Sequence, residues 1–264
     1  MMQITESTYR SDLYRYGVCT VQRFWQPEIA VRPKDLIFRS LKTAMLMQKD
    51  NLHILTAAPS LANHFVAELR DVSVQHDSLR FRRNLERLGE LLAYEISKTL
   101  PYENRDIVTP LATTQTQLLT AQPVLATILR AGLPMYNGML NYFDKAYSTF
   151  VGAYRVEEQN TELQINMEYL ASTDLHDKIL ILADPMLATG RSLVKSYKGM
   201  LRHGKPVQVH IAAAIASPEG VAYIQQEVPE AHIWLGAMDD HLNENFYIVP
   251  GLGDAGDLAF GPKV

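Results

Sequence analysis

Short unbroken apolar runs recur along this chain, and between them the apolar residues return every three to four positions. The runs are Val124–Leu129, Tyr147–Tyr154, Ile179–Ala183, Val207–Ala216 and His232–Met238. Runs of this length, apolar on both faces, predict strands buried within a sheet. Asp77 to Thr99 predicts a helix, with Leu79, Leu85, Leu88, Leu91, Leu92 and Ile96 on one face. Its charges, Arg82, Arg83, Glu86, Arg87 and Glu90, read as a solvated face, and Pro101 stops it. Further helices are predicted from the Arg130-Ala-Gly132 turn through Leu140 and from Leu193 to His203. Asp35 to Lys49 carries a similar period. Strands alternating with helices imply parallel βαβ units, hence an α/β fold with helices flanking a parallel sheet.

Two segments break this pattern. The first is Ile179-Leu-Ile-Leu-Ala-Asp184-Pro-Met-Leu-Ala-Thr189-Gly190-Arg191-Ser192. An apolar strand ends in an acid, a loop of small and hydroxyl residues follows, and a helix begins. Free N–H groups at a helix start suit a phosphate, and Thr189 and Ser192 add hydroxyl donors. Asp184 stands where open α/β sheets place ligands. An acceptor-only carboxylate beside an anion cradle suggests a ligand such as a ribose phosphate. The spacing is neither a Walker A loop nor a dinucleotide-binding glycine pattern.

The second segment is Tyr247-Ile-Val-Pro250-Gly251-Leu-Gly253-Asp254-Ala-Gly256-Asp257, followed by Phe260-Gly261. Its glycines and proline predict a tight loop rather than a helix or central strand. Such a backbone can approach a flat ligand closely. The bland alternative is a glycine-rich tail with no site.

Composition narrows the field. A net charge of −4 argues against a nucleic-acid binder. The one cysteine, Cys19, excludes an intramolecular disulfide framework and fits a reducing compartment. No apolar stretch reads as a signal peptide or a membrane span, so a cytoplasmic protein is expected. The eight histidines show no metal-ligand spacing, and no G-x-S-x-G elbow appears. Residues 1 to 50 mix aromatic and basic side chains without a basic excess, which favours a packing arm over an RNA-binding one.

Both unusual segments resemble uracil phosphoribosyltransferases of the type I phosphoribosyltransferase family. So do Ile128-Leu-Arg130-Ala-Gly132-Leu133 and the pair Tyr154, Arg155. Leu91-Leu-Ala-Tyr-Glu95, Ser217-Pro-Glu-Gly220 and Leu242-Asn-Glu-Asn245 are similar as well and more structural in character. The resemblance runs in order from about Asn51 to Lys263. It implies a phosphoribosyltransferase domain at 51–264, preceded by an extension at 1–50 that lies outside it, with a C-terminal hood over the base.

The resemblance further implies transfer of phosphoribose from phosphoribosyl pyrophosphate to uracil, giving UMP and pyrophosphate in pyrimidine salvage. Arg130 and Arg155 would face the pyrophosphate. Asp184, Pro185, Met186, Leu187, Ala188, Thr189, Gly190, Arg191 and Ser192 would form the phosphoribosyl loop, with the acid at the ribose hydroxyls and Ala188 to Ser192 around the 5′-phosphate. Ile248, Gly253, Asp254 and Ala255 would read uracil, largely through backbone, and Asp254 would also contact the sugar phosphate. Asp184, Asp254 and Arg130 are the expected catalytic residues. Mg²⁺ would bind mainly through the substrate's pyrophosphate, with no dedicated protein ligands. Expected partners are these small molecules and further copies of the chain, as a homodimer or larger, with neither nucleic acid nor membrane.

Three positions depart from the family pattern. Arg191 replaces a second glycine, Val156 stands where an Asp or Asn follows Tyr-Arg, and Leu258 stands where a basic residue is usual. They leave two alternatives open: a sensor that binds phosphoribosyl pyrophosphate or nucleotide with little turnover, and a phosphoribosyltransferase for another base.

Overall fold

The computed structural model describes residues 51–156 and 164–262, with side chains left out over 153–168. The predicted helix at Asp35 to Lys49, the N-terminal extension and Cys19 lie outside the described residues.

The sheet carries strands β1 (Leu52–Ile54), β4 (Val124–Leu129), β5 (Tyr147–Val156), β6 (Gln164–Ala171), β7 (Ile179–Ala183), β9 (Gln208–Ala216) and β10 (His232–Met238). Their order across it is β1-β10-β9-β7-β4-β5-β6, and a two-residue strand β8 (Met186–Leu187) also pairs with β9. Every pairing is parallel except β5 with β6, a hairpin. The expected parallel α/β sheet is therefore present. Residues 157–163, between β5 and β6 in the chain, lie outside the described residues.

The apolar runs of β4, β7, β9 and β10 are continuous because these central strands are covered on both faces. In β7, Ile179, Ile181 and Ala183 join one buried cluster, while Leu180 and Leu182 join the other. The first cluster is closed by helices α1 (Leu61–Arg70), α2 (Ser78–Ser97) and α3 (Leu133–Leu140). The second is closed by α4 (Arg191–Met200) and α5 (Pro218–Glu227). Strands buried between two helical layers have no solvent face, which is why they show no alternation.

Helix α2 starts where its capping residue predicts, with the Asp77 side chain accepting from the Arg80 N–H at 3.0 Å. Its buried face is Phe81, Leu85, Leu88, Leu92 and Ile96. Leu79 instead is exposed, because it lies two residues, about 200°, around the helix from Phe81. The charged face is also not simply solvated. Arg82 donates to the Ala259 carbonyl at 2.6 Å and lies over the Phe260 ring.

A two-stranded hairpin, β2 (Tyr102–Val108) with β3 (Thr113–Leu119), has no counterpart among the predicted elements. All seven residues of β2 are exposed, so neither face imposed an apolar alternation that could be read. At the C-terminus a small ribbon, β11 (His241–Leu242) with β12 (Ile248–Val249), precedes helix α6 (Ala255–Phe260). This helix corrects the expectation of loop through Asp257. Asp254 caps it, accepting from the N–H groups of Gly256 and Asp257, so Gly256 sits in a first turn that is held from outside the helix.

Candidate active site

Strands β4 and β7 are neighbours at the middle of the sheet. The chain leaves β4 into α3 on one face, and leaves β7 into α4 on the other. Divergence of the two connections opens a crevice beyond the strand ends, the place where open α/β sheets bind ligands. The loops bearing Arg130 and Asp184 both start there.

The loop after β7 is anchored along its length. The Asp184 N–H donates to the Ala212 carbonyl at 3.0 Å, and the Pro185 carbonyl accepts from Ala214 and Ile215. Met186 and Leu187 form β8 against β9. Ser217, fully buried at the start of α5, donates its hydroxyl to the Ala188 carbonyl at 2.7 Å and accepts from the Gly220 N–H. A Cβ on Gly220 would stand 2.2 Å from the Ala188 carbonyl oxygen. The Ser217-Pro-Glu-Gly220 string is thus the back wall of the loop.

Gly190 turns the chain into α4 with φ of +75°, and a Cβ there would meet the Gly220 carbonyl oxygen at 3.0 Å. Glycine is required on both counts. The Thr189 hydroxyl accepts from the Arg191 N–H at 3.4 Å. Arg191 is the first residue of the helix and is exposed, with Ser192 beside it half-buried. The structure therefore brings Asp184 through Ser192 together as a rigid turn that ends on a helix N-terminus, where unpaired N–H groups and the helix dipole favour an anion.

Arg130 follows β4 across a cis Leu129–Arg130 peptide. It donates from Nη2 to the Gly261 carbonyl at 3.1 Å, with the Asp257 carboxylate at 3.5 Å. Arg155 lies on β5, paired in register with Ile165. Its side chain, like that of Val156, lies outside the described residues.

The hood is held from several directions. Ile248 is buried, with its side chain in the core. The Val249–Pro250 bond is cis, and Gly251 follows with φ of +64°. A Cβ on Gly251 would lie 2.1 Å from the Ile248 carbonyl oxygen. Gly253 and Asp254 are exposed, and Ala255 is buried. The Asp254 carboxylate is held through Oδ1 by Gly256 and Asp257 at 2.8 and 3.0 Å. A helix N-terminus therefore orients this carboxylate without any ligand contact. Leu258, at the position of the family's basic residue, packs against the core.

Sequence reasoning missed a second acid at a strand end. Asp239 lies just past β10, as Asp184 lies just past β7, and the same signal marks both. It is 4% exposed and pairs with Arg70 at the end of α1. Gln75, also buried, donates to the Leu252 carbonyl at 3.1 Å. Both grip the hood's backbone. Among the described residues, no group of three or more His, Cys, Asp or Glu side chains could hold a metal ion.

A mostly parallel sheet flanked by helices, with a tight strand-to-helix turn at its switch point and a glycine-rich C-terminal segment, is the architecture of a type I phosphoribosyltransferase. The sequence model of uracil phosphoribosyltransferase matches residues 56–262. A curated uracil phosphoribosyltransferase from Porphyromonas gingivalis is 51% identical over 211 residues, covering 80% of this chain and 98% of that protein. One from Thermococcus gammatolerans is 37% identical, covering 74% of this chain and 87% of the relative. A solved structure from Aquifex aeolicus superposes with a TM-score of 0.72 at 33% identity, covering 81% of this chain and 99% of that one. This chain belongs to the uracil phosphoribosyltransferase family.

Proposed function

We propose that this protein transfers the phosphoribosyl group of phosphoribosyl pyrophosphate to uracil, giving UMP and pyrophosphate in pyrimidine salvage. The bond from the anomeric carbon to pyrophosphate oxygen breaks, and its electron pair leaves with the pyrophosphate. A ring nitrogen of uracil supplies the pair for the new C–N bond, and its proton ends on pyrophosphate or water. The intervening sugar has oxocarbenium character, as in glycoside chemistry.

The observation that carries this reading is the position of Arg130. It stands at the end of β4, beside the anion-binding turn after β7, and reaches the hood at Gly261. One cation is thus shared between the phosphate side and the base side of the crevice. We assign Arg130 and Arg155 to the departing pyrophosphate, because a guanidinium fork matches phosphate oxygens. Asp184 takes the ribose hydroxyls, and Pro185 to Ser192 the 5′-phosphate. Ile248, Gly253 and Ala255 read the base through backbone. Asp254, with Oδ1 engaged at the helix start, presents its second oxygen to the sugar.

Mg²⁺ is the expected cofactor. With no group of three or more His, Cys, Asp or Glu side chains that could hold an ion among the described residues, the site suits an ion carried by the substrate's own phosphates and by water. When bound it neutralises pyrophosphate charge; no side chain is assigned to it.

We also propose a homodimer or larger assembly. The hairpin β2–β3 exposes Ile107, Val108, Leu111 and Leu118, a surface that a second copy would cover. Residues 51–264 form the catalytic domain in this reading, and 1–50 an extension outside it. No helix among the described residues is long and apolar enough to cross a membrane, and the cytoplasm is the proposed location.

A direct assay of UMP formation tests the function, run with uracil, cytosine, hypoxanthine and orotate in parallel. Turnover with uracil above the other bases is expected. Binding of phosphoribosyl pyrophosphate without turnover on any base would overturn the enzyme reading in favour of a sensor.

A further inference from the structure

A loop that reads a base with its own backbone must have its peptide groups aimed by something else. Residues 250 to 253 are Pro, Gly, Leu and Gly; Leu252 is buried in the core, but apolar packing of one side chain does not fix the direction of the neighbouring peptide groups. The aim comes from across the fold. The Gly251 N–H donates to Asp239 Oδ2 at 2.8 Å. The Gly251 carbonyl accepts from Arg70 Nη1 at 3.3 Å, and the Leu252 carbonyl from Gln75 Nε2 at 3.1 Å. Gln75 is itself fixed by the Leu69 carbonyl at 3.0 Å. Arg70 and Asp239 meet as a two-point fork, Nη1 to Oδ2 at 2.9 Å and Nη2 to Oδ1.

This fork is poorly explained as a stability device. Burying an ion pair costs desolvation of both partners, and an apolar replacement often serves as well. A fork is valuable where direction matters, because two parallel bonds fix the plane of each group. Asp239 Oδ2 accepts from both Arg70 and Gly251, so the plane of the ion pair sets the orientation of the Gly251 peptide. Gly251 is also where the chain takes a conformation that other residues avoid.

We propose that Arg70, Asp239 and Gln75 are positioning residues for base recognition, holding the peptides of Gly251 and Leu252 so that Gly253 to Ala255 present a fixed pattern to the base. This rests on the uracil reading given above. The three side chains touch the loop rather than the base and set affinity for the base, while Asp254, held separately by the Gly256 and Asp257 N–H groups at the start of α6, keeps its place toward the sugar phosphate.

Gln75→Leu and Arg70→Lys, each in the full chain, test this in steady-state kinetics with each substrate varied in turn. KM for uracil should rise about tenfold, the scale expected when reading groups shift slightly. KM for phosphoribosyl pyrophosphate should stay within about twofold, and preference for uracil over cytosine should fall. Val66→Ala, which trims the core under α1, serves as a control for lost stability and should show no such split. Equal changes in both KM values, no change in either folded variant, or the same split in Val66→Ala would overturn the proposal. A wild-type protein inactive on uracil would overturn the functional reading instead. If Gln75→Leu fails to fold, Arg70→Lys carries the test.

Discussion

Arg130 and Gly261 lie far apart in the chain, yet the Arg130 guanidinium donates to the Gly261 carbonyl at 3.1 Å. The bond ties the turn after β4 to the last residues of the hood. A substrate pyrophosphate that takes this guanidinium would therefore compete with the hood for it. The same side chain is the first to test.

Arg130→Ala should lower kcat/KM about a hundredfold, the effect of removing one charge-assisted contact worth about 3 kcal/mol at the transition state. The guanidinium is substantially exposed and its carboxylate neighbour Asp257 is at 3.5 Å, so thermal stability should hold. Wild-type kinetics in the folded variant would remove Arg130 from the site.

In the turn from β7 into α4, Gly190 and Arg191 should behave in opposite ways. Gly190→Ala places a Cβ 3.0 Å from the Gly220 carbonyl oxygen at φ of +75°. About 1–3 kcal/mol of strain should follow, read as a lower Tm and weaker binding of phosphoribosyl pyrophosphate. Arg191→Gly restores the family's usual residue at an exposed position. Affinity should stay within about threefold, or roughly 0.7 kcal/mol. A large gain in turnover would mean that Arg191 obstructs the crevice.

For Asp254, two substitutions separate capping from chemistry. Asp254→Asn keeps an oxygen for the N–H groups of Gly256 and Asp257, so Tm should barely move. Turnover should drop about 10- to 1,000-fold if the carboxylate charge supports the reacting sugar. Asp254→Ala should add a stability loss of about 0.5–2 kcal/mol, the usual cost of a lost cap. Full activity in the Asn variant would show that Asp254 only caps α6.

Stability should also fall in mild acid for a reason remote from the crevice. His210 lies fully buried and accepts from the Trp234 indole N–H at 3.0 Å. Burial, then the neighbouring His232 and His53, push its pKa down to about 3. His53 is lowered as well, by burial and then by His232. A lowered folded-state pKa means that the unfolded chain takes up the proton first. The stabilisation is complete above about pH 6.5 and is lost as pH falls toward the folded-state value. Each such histidine contributes a slope of at most about 1.4 kcal/mol per pH unit. The Glu68 carboxylate, held down to about 2 by Arg80 and Asn84, adds its own loss only in more acid solution. Denaturant unfolding at pH 7, 6 and 5 should show the decline, and His210→Asn should remove about one proton from it. An unchanged slope would exclude His210 as a source.

How far the chain could be read depended on where each signal was stored. Strands β4, β7 and β10 match the predicted runs end to end, because full burial on both faces writes itself as an unbroken apolar string. The turn from Asp184 to Ser192 was equally legible, since its glycine, acid and hydroxyls are consecutive. The hairpin β2–β3 was not: exposed on both faces, it needed no apolar pattern. Helix α6 hid behind its glycines because its start depends on the Asp254 carboxylate, a contact that composition does not show.

What the sequence by itself determined is the class of fold, the place of the turn from β7 into α4 and the family. What only the tertiary structure decided is how the hood is held. Arg70 and Gln75 meet Gly251 and Leu252, Arg82 meets Ala259, and Arg130 meets Gly261, each across a wide span of chain. The physical reason is that these contacts join side-chain donors to backbone carbonyls. A carbonyl is the same on every residue, so its partner leaves no mark at its own position, and only the packing of distant elements shows which carbonyl each donor meets.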